Sequence, residues 1–385
     1  MLKKEKGITL IVLVITIIIL LLLAGIAITS LTGEHGLIKI SKDAKKNTIE
    51  AQNQEEQILS EYEDYLDEEL YGEGKTTLAR KVKVGDYVKY TPDTVTITDT
   101  KYTSLISELG TCSGNLDNTS STLTQEPLNW RVLDIQNGEV RLISENSTTS
   151  KIELIGVNGY NNGVYLIDKT CSTLYNNSTY AKKVQNLKIE DIKKYLTWDY
   201  KTSSEYGSIC KYGEFTATPY TTNTNYPLIY AQEKNNGVGG TKQEGTLGMS
   251  EQTTPITGTS GTTSSLGITK TSLSKPNMDS SYFTSQTYHD LFINYGKKEL
   301  KGYFCSSRCV RPETDEAYFG ISIVIEGENG GLATAMLYRS QDLEAMGNYA
   351  FRPVVTLKAN TLIDITDTTK DGSSAANAYE LVKQD

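Results

Sequence analysis

A long apolar run near the start of the chain is its strongest hydropathy feature. Residues Ile8 to Ile28 are almost continuously apolar and follow a short leader with three lysines and one glutamate. At about 1.5 Å per residue the run spans roughly 30 Å, which is enough to cross a bilayer as one helix. Because the positive charge precedes the run, we expect the N-terminus on the cytoplasmic side of the cell membrane and the C-terminal domain outside.

A second helix is predicted beyond a break at Gly33 and Gly36. Between about Ile40 and Leu70, apolar residues recur at close to helical spacing, as expected for an amphipathic helix. Its first part is basic and its last part is acidic. A solvated helix face accounts for this charge order. The alternative is an electrostatic contact between the basic half of one subunit and the acidic half of another.

Strand patterns dominate the chain after the second helix. Asn137-Gly138 separates two alternating runs, Trp130–Ile135 and Val140–Ile143, and therefore predicts a β-hairpin. A helix is predicted over Tyr180–Leu196, because the apolar residues of this segment recur at helical spacing. Four further strands are predicted near the C-terminus: Tyr303–Val310, Phe319–Glu326, Leu332–Tyr338 and Phe351–Leu357.

These patterns predict an α+β fold class, in which a long N-terminal transmembrane and amphipathic α-helix precedes a β-rich extracellular domain. A Thr/Ser/Gly tract at 253–275 is predicted to form a long surface loop of that domain. The predicted division of the chain is a leader at 1–7, a transmembrane helix at 8–36, an amphipathic helix at 37–70, a linker at 71–80, a globular domain at 81–360 and a C-terminal tail at 361–385.

Charge and histidine content argue against several kinds of function. The net charge of −9 argues against nucleic acid as a partner, because phosphate binding needs a basic surface. The two histidines, His35 and His289, lie in different segments, so the sequence predicts neither a histidine-based catalytic site nor a metal site. We therefore expect this protein to be neither an enzyme nor a cofactor-binding protein.

Five cysteines leave at least one thiol unpaired in an extracellular domain. Cys112, Cys171 and Cys210 could contribute one bridge, and their spacing leaves the pairing open. Cys305 and Cys309 are separated by roughly 13 Å along a predicted strand, which is too far for a disulfide or a shared metal unless a bulge intervenes. Cys309 is therefore predicted to be a buried small hydrophobic residue.

The residues around Gly7 resemble those of a known family. Lys6-Gly7-Ile8-Thr9-Leu10-Ile11 resembles the prepilin cleavage and methylation segment of type IV pilins and pseudopilins, in the form common in Gram-positive anaerobes of the clostridial group. The resemblance implies cleavage after Gly7 by a prepilin peptidase, methylation of the new N-terminal Ile8, and contact with other pilin-like subunits and the membrane. A plain signal anchor without processing is the alternative.

One position departs from the family pattern. Most members carry a glutamate at the fifth position of the mature chain, where it pairs with the N-terminal amine of a neighbouring subunit. This chain has Val12 at that position, so the pairing is unavailable. The departure implies a minor or tip component rather than the bulk subunit of a filament.

The C-terminal part carries a second resemblance. Ser306-Ser307-Arg308-Cys309-Val310, Phe319-Gly320-Ile321 and Phe351–Leu357 resemble an extracellular domain of clostridial surface proteins. The ending is similar to that of the C-type-lectin-like superfamily, which includes formylglycine-generating-type domains. The resemblance implies a C-type-lectin-like surface domain. Calcium dependence is not implied, because residues 311–313 lack the ligand triplet of sugar-binding members.

Candidate binding residues lie in the C-terminal half, where a lectin-like module carries its recognition surface. Arginine and tyrosine are enriched at protein interfaces, and aromatic rings suit surfaces that are partly apolar and partly wet. The predicted binding residues are Arg308, Arg311, Tyr318, Tyr338 and Arg339. The predicted structural residues are Trp130, Cys309 and Arg352. For Arg308, the alternative to a binding role is the structural role expected of Arg352, in which the guanidinium pairs with a buried carboxylate or carbonyl.

The sequence thus predicts a membrane-anchored, pilin-like surface protein that displays an extracellular recognition or adhesion domain for a glycan or protein ligand. The main alternative is a minor pseudopilin with a purely structural role in assembling a type IV pilus or a type II secretion-like filament. An isolated signal-anchored sensor is the third option. The mature N-terminus distinguishes pilin processing from simple anchoring.

Overall fold

The computed structural model shows a chain of two compact units, Met1–Glu73 and Gly74–Asp385. The residues that the structure describes are 13–24, 37–112, 114–116, 123–198, 228–230, 249–251, 274–293, 301–312, 317–339 and 343–383. In the first unit, helix α1 covers residues 13–24 and helix α2 covers Leu37–Tyr71. Helix α2 confirms that the segment predicted as an amphipathic helix, 37–70, is helical.

The predicted fold class is wrong. No helix in the described part of the chain is both long enough and apolar enough to span a membrane. Residues 8–12 and 25–36 lie outside the described residues. In addition, the second unit is mixed α/β with two large sheets, since helices pack among its strands.

An eight-stranded sheet forms one part of the second unit. Its strands are connected in the spatial order β1, β16, β17, β2, β4, β5, β15 and β7. In the same order, these strands cover Lys75–Thr77, Leu362–Asp364, Tyr379–Val382, Tyr87–Lys89, Trp130–Gln136, Glu139–Ser144, Pro353–Leu357 and Ala181–Asn186. Both ends of the unit therefore join one sheet.

A seven-stranded sheet forms the other large part. Its spatial order is β13, β12, β11, β10, β14, β6 and β3. In that order, the strands cover Leu343–Glu344, Gly331–Arg339, Ala317–Glu326, Lys301–Pro312, Met346–Ala350, Lys151–Ile155 and Gly114–Leu116. A separate pair joins β8, Leu228–Tyr230, to β9, Met249–Glu251.

Helix α5, Gly156–Tyr175, occupies the centre of the unit. It contacts β7 of the eight-stranded sheet and β6 and β10 of the seven-stranded sheet. Most of its residues are buried, although it contains three glycines and three asparagines, which are poor helix formers. Burial against two sheets therefore outweighs propensity here. The other described α-helices of this unit are α3, Leu78–Lys81; α4, Thr100–Thr111; α6, Ile189–Lys193; and α7, Gln286–Ile293.

The predicted hairpin is confirmed. Strands β4 and β5 pair antiparallel up to Gln136 and Glu139. Asn137 and Gly138 have φ values of 52° and 76°. Two consecutive left-handed residues define the type I′ turn, whose twist matches that of the flanking strands.

The predicted helix over Tyr180–Leu196 is wrong. Its first part is strand β7, which pairs antiparallel with β15, and only Ile189–Lys193 is helical. Val184 lies opposite Val355 in this ladder. The segment of β7 therefore forms a strand at the edge of the sheet although its apolar residues have helical spacing, because backbone pairing with β15 and core burial both favour the strand.

The domain boundaries also differ from the predicted ones. The predicted linker at 71–80 contains β1 and the start of α3, where Leu78 is buried. The predicted tail at 361–385 contains β16 and β17, and Ile363 lies in the core. The compact unit consequently begins at Gly74 and includes the C-terminal strands. Of the predicted loop at 253–275, residues 253–273 lie outside the described residues.

Candidate recognition surface

Two of the predicted binding residues lie in the core. The Arg308 guanidinium carbon lies 4.0 Å from the centroid of the Tyr160 ring, and the residue is buried. Tyr338 is also buried, with its ring centroid 5.9 Å from that of Phe319. Neither side chain is therefore available at the surface.

The other three predicted binding residues are brought together by strand register. Arg311 on β10 lies opposite Tyr318 on β11, and Tyr318 lies opposite Arg339 on β12. The backbone therefore places the three residues in one row across three strands. Tyr318 is partly exposed. The processing residues Gly7 and Ile8 lie outside the described residues.

The three predicted structural residues are all buried. Trp130 packs edge-on between Tyr90 and Tyr175, at centroid distances of 5.1 and 6.0 Å. Cys309 Sγ lies 3.5 Å from Thr334 Oγ1. Arg352 donates hydrogen bonds to several backbone carbonyls of the core.

A different region combines exposed aromatic rings with buried charges. Four partly exposed aromatic side chains lie on the segments after α6 and around α7. They pack against a buried cluster that includes Leu133, Ile143 and Phe292. We call this group the aromatic surface; it consists of Tyr195, Trp198, Tyr282 and Tyr288. The Tyr195 and Tyr288 rings stack with centroids 3.6 Å apart and an interplanar angle of 13°.

Backbone pairing holds the two aromatic segments together. The Thr197 amide donates to the Tyr282 carbonyl at 3.0 Å, and the Thr284 amide donates to the Tyr195 carbonyl at 2.8 Å. The Lys275 ammonium lies 5.1 Å from the centroid of the Tyr282 ring and 6.0 Å from that of Trp198. A cation thus lies beside two of the four rings.

A nearly buried ion cluster, Asp134, Arg141 and Asp191, supports one end of the aromatic surface. Arg141 donates through Nε to Asp134 Oδ1 at 2.6 Å and through Nη1 to Asp191 Oδ1 at 2.7 Å. Burial alone would lower the pKa of Arg141, but the hydrogen bonds and charges of both carboxylates raise it above its usual value. Burial opposes ionisation of Asp134 too, yet Arg141 holds the pKa of that carboxyl below its usual range.

Tyr195 connects the ion cluster to the aromatic surface. Its hydroxyl donates a hydrogen bond to Asp134 Oδ2 at 2.9 Å. Burial, the contact with Tyr288 and the charge of Asp134 all raise the pKa of Tyr195. Burial likewise raises the pKa of Tyr288. Both hydroxyls therefore stay protonated at neutral pH and remain able to donate hydrogen bonds. Rings with fixed orientation and polar edges suit ligand contact.

Sequence reasoning did not identify this surface. Its members come from two segments separated by more than eighty positions, and Tyr195 lies in the predicted helix Tyr180–Leu196, of which only Ile189–Lys193 forms. The signal that points toward it is compositional, because the chain has twenty-five tyrosines and only six phenylalanines. A high ratio of tyrosine to phenylalanine indicates aromatic rings whose hydroxyl groups remain in contact with water.

The described residues show no arrangement for metal or disulfide chemistry. They contain no group of three or more His, Cys, Asp or Glu side chains that could hold a metal ion. Cys112, Cys171, Cys305 and Cys309 are buried, and Cys210 lies outside the described residues. Burial raises the pKa of Cys171 and Cys305 well above the usual value, which disfavours the reactive thiolate.

Comparison with known proteins gives no relative: no family model, curated protein or solved structure matches this chain. Its candidate function therefore rests on its own residues and geometry.

Proposed function

We propose that this chain is a pilin-like surface protein, processed by prepilin peptidase, whose second unit recognises an extracellular glycan or protein. The observation that carries the recognition role is the aromatic surface. Its four rings come from two chain segments, stay partly exposed, and are held in place by backbone pairing and by the Tyr195 hydrogen bond to Asp134.

Side chains that are ordered before binding reduce the entropic cost of ligand association. Ligand association is opposed by the ordering of mobile side chains, at about 0.5–1.5 kcal/mol for each one. The stacked Tyr195 and Tyr288 rings are already ordered by mutual contact and by Phe292, which lies 6.0 Å from Tyr288 between ring centroids. Preordered aromatic side chains are the typical energetic centres of interfaces.

The pilin-like part of the proposal rests on the residues around Gly7. A short basic leader, a glycine and a long apolar run form the pattern that the peptidase of that family processes. Val12 at the position of the usual glutamate supports a minor or tip component, in which a recognition unit is displayed in few copies.

A binding screen with the full chain tests the recognition role. Detergent-solubilised protein is applied to arrays of glycans and of extracellular proteins, and each hit is remeasured in solution. We expect Tyr288→Ala to weaken binding about thirtyfold, which corresponds to roughly 2 kcal/mol for an aromatic hot spot. Tyr288→Phe keeps the ring and should bind within a few-fold of the native chain.

Tyr62→Ala is the matched control, because Tyr62 is 61% exposed on α2 and lies outside the aromatic surface. It should leave binding unchanged. A screen without any hit, on protein whose fold is verified by circular dichroism, would contradict the recognition role. The structural pseudopilin role would then take its place.

A further inference from the structure

Two tyrosine rings of the aromatic surface are stacked face to face. The Tyr195 and Tyr288 ring centroids lie 3.6 Å apart, and the interplanar angle is 13°. Aromatic pairs usually prefer offset or edge-on arrangements with centroids about 4.5–7 Å apart. Among the described residues, the next closest ring centroids are 5.1 Å apart, and both of those pairs are edge-on. The stacked pair is therefore unusual in its spacing and in its orientation.

The fold leaves these two rings little freedom to separate. The buried Phe292 ring lies nearly parallel to both of them, with its centroid 6.3 Å from that of Tyr195 and 6.0 Å from that of Tyr288. The Thr284 amide donates to the Tyr195 carbonyl at 2.8 Å, which fixes the backbone of one partner. At the other end of the same side chain, the Tyr195 hydroxyl donates to Asp134 Oδ2 at 2.9 Å. The stack is thus held by backbone pairing, by packing and by a hydrogen bond.

Both rings can be reached from the solvent, and their reactive ends are adjacent. Tyr195 and Tyr288 are each partly exposed. Their hydroxyl groups are in hydrogen-bonding contact with each other, so the two rings point in the same direction. The ortho carbons, which flank the hydroxyl-bearing carbon of each ring, therefore lie at the same end of the stack.

This geometry suits one reaction of tyrosine, the coupling of two phenoxyl radicals. In a phenoxyl radical the unpaired electron occupies the π system, with a large share at the ortho carbons. The π orbitals are perpendicular to the ring plane, so stacked rings direct these orbitals at each other. Two reacting groups that are already oriented react faster than groups that must first meet by diffusion.

Oxidation of a protonated phenol also requires an acceptor for its proton. Burial, the contact with Tyr288 and the charge of Asp134 raise the pKa of Tyr195, so its hydroxyl is protonated at neutral pH. Burial opposes ionisation of Asp134, yet Arg141 holds the pKa of that carboxyl below its usual range, so Asp134 is a carboxylate. Because a phenol that has lost an electron is a strong acid, even this weakly basic carboxylate can take the proton. Asp134 is already in hydrogen-bonding distance of it.

We propose that Tyr195 and Tyr288 form a site of oxidative cross-linking, at which hydrogen peroxide, acting through a haem peroxidase, joins the two rings as dityrosine. Each ring gives up one electron and its hydroxyl proton, and the Tyr195 proton passes first to Asp134. A carbon–carbon bond then forms between two ortho carbons, and the hydrogen on each of these carbons moves to the phenol oxygen. The two electrons and two protons reduce hydrogen peroxide to two molecules of water.

The new bond connects the segment after α6 covalently to α7. It fixes two of the four rings of the aromatic surface in one arrangement, whatever that surface binds. The inference is therefore independent of the proposed recognition role. A covalent link between distant residues restricts the unfolded chain, so the cross-linked protein should unfold at a higher urea concentration than the untreated protein.

Peroxide treatment of the full chain tests the site. Detergent-solubilised protein is treated at low concentration with hydrogen peroxide and a haem peroxidase, and free tyrosine in a parallel reaction verifies the oxidant. After digestion, mass spectrometry measures each pair of joined tyrosine peptides that has lost two hydrogens. We expect the peptides of Tyr195 and Tyr288 to form the most abundant pair. Absence of this pair, or a yield no higher than that of other tyrosine pairs, overturns the inference.

Three variants connect the product to the geometry. Tyr288→Phe keeps a ring in the stack but cannot form a phenoxyl radical, so the Tyr195 cross-link to this position should disappear. Tyr379→Phe is the matched control, because Tyr379 is partly exposed in the same unit and lies outside the stack. It should leave the yield unchanged.

Asp134→Asn removes the proton acceptor and keeps the size of the side chain. Once circular dichroism has verified its fold, this variant should cross-link at least about tenfold more slowly, because a positioned base contributes about 10²–10⁴-fold to a proton-transfer step. An unchanged rate in the folded variant overturns the role of Asp134 in the proposed reaction. If the variant does not fold, the product pattern of the native chain and the loss in Tyr288→Phe still decide the inference.

Discussion

Arg352 provides the sharpest test of how the core of the second unit is held together. Its side chain is fully buried, with 0% exposure. It donates through Nε to the Ser144 carbonyl at 3.1 Å, through Nη2 to the Glu145 carbonyl at 3.0 Å and through Nη1 to the Phe292 carbonyl at 3.2 Å. The guanidinium also lies 3.9 Å from Glu326 Oε1.

We expect Arg352→Ala to destabilise the unit by at least about 4 kcal/mol. Breaking a buried ion pair costs about 3–5 kcal/mol, because the remaining carboxylate keeps its desolvation penalty. Each buried carbonyl that loses a donor adds about 1 kcal/mol. The sum is a large fraction of the roughly 5–15 kcal/mol by which domains are stable.

Urea unfolding followed by far-ultraviolet circular dichroism measures this free energy, with the fluorescence of buried Trp130 as a second probe. Arg131→Ala is the matched control, because Arg131 is partly exposed and donates one hydrogen bond through Nε, to the Gly85 carbonyl at 2.9 Å. It should cost about 1 kcal/mol. If Arg352→Ala lowered the free energy of unfolding no more than this control does, the buried guanidinium would contribute no more to stability than a partly exposed arginine.

Four further predictions concern individual positions. Gly138→Ala should cost about 1–2 kcal/mol in urea unfolding, because φ is +76° and no neighbouring atom lies within 4 Å, so the cost is conformational. Gly110→Ala, in open space within α4, should instead stabilise by up to about 1 kcal/mol. Tyr338→Ala should cost about 3–5 kcal/mol, since the ring is buried, and a loss below 1 kcal/mol would contradict its packing role. Gly7→Val should block processing, so that mass spectrometry finds Met1 or Leu2 at the N-terminus rather than methylated Ile8; an unchanged mature N-terminus in the variant would count against the pilin-like proposal.

Sequence patterns located several strands correctly because the signals were local. Asn137-Gly138 specifies its own turn, since left-handed backbone conformations are cheap for these two residues. The strands of residues 303–310, 319–326 and 332–338 were predicted within a few residues of β10, β11 and β12. Runs of β-branched and aromatic residues between turns carry this information without knowledge of partners.

Elsewhere, tertiary contacts reversed the local preference. Helix α5 was not predicted, because its glycines and asparagines disfavour a helix, yet two sheets bury it. The segment of strand β7 is predicted as helix, because the spacing of its apolar residues fits a helix as well as a strand. Pairing with β15 makes it a strand. Arg308 and Tyr338 were assigned to a surface that the fold places in the core.

The sequence by itself determined the elements whose signals are short: the type I′ hairpin, the amphipathic helix α2 and the row of C-terminal strands. It also determined the abundance of tyrosine and the negative net charge. Only the tertiary structure decided which tyrosines stand together and which arginines are buried. The reason is that Tyr195 and Tyr288 are distant in sequence, and their proximity depends on the backbone pairing between their two segments.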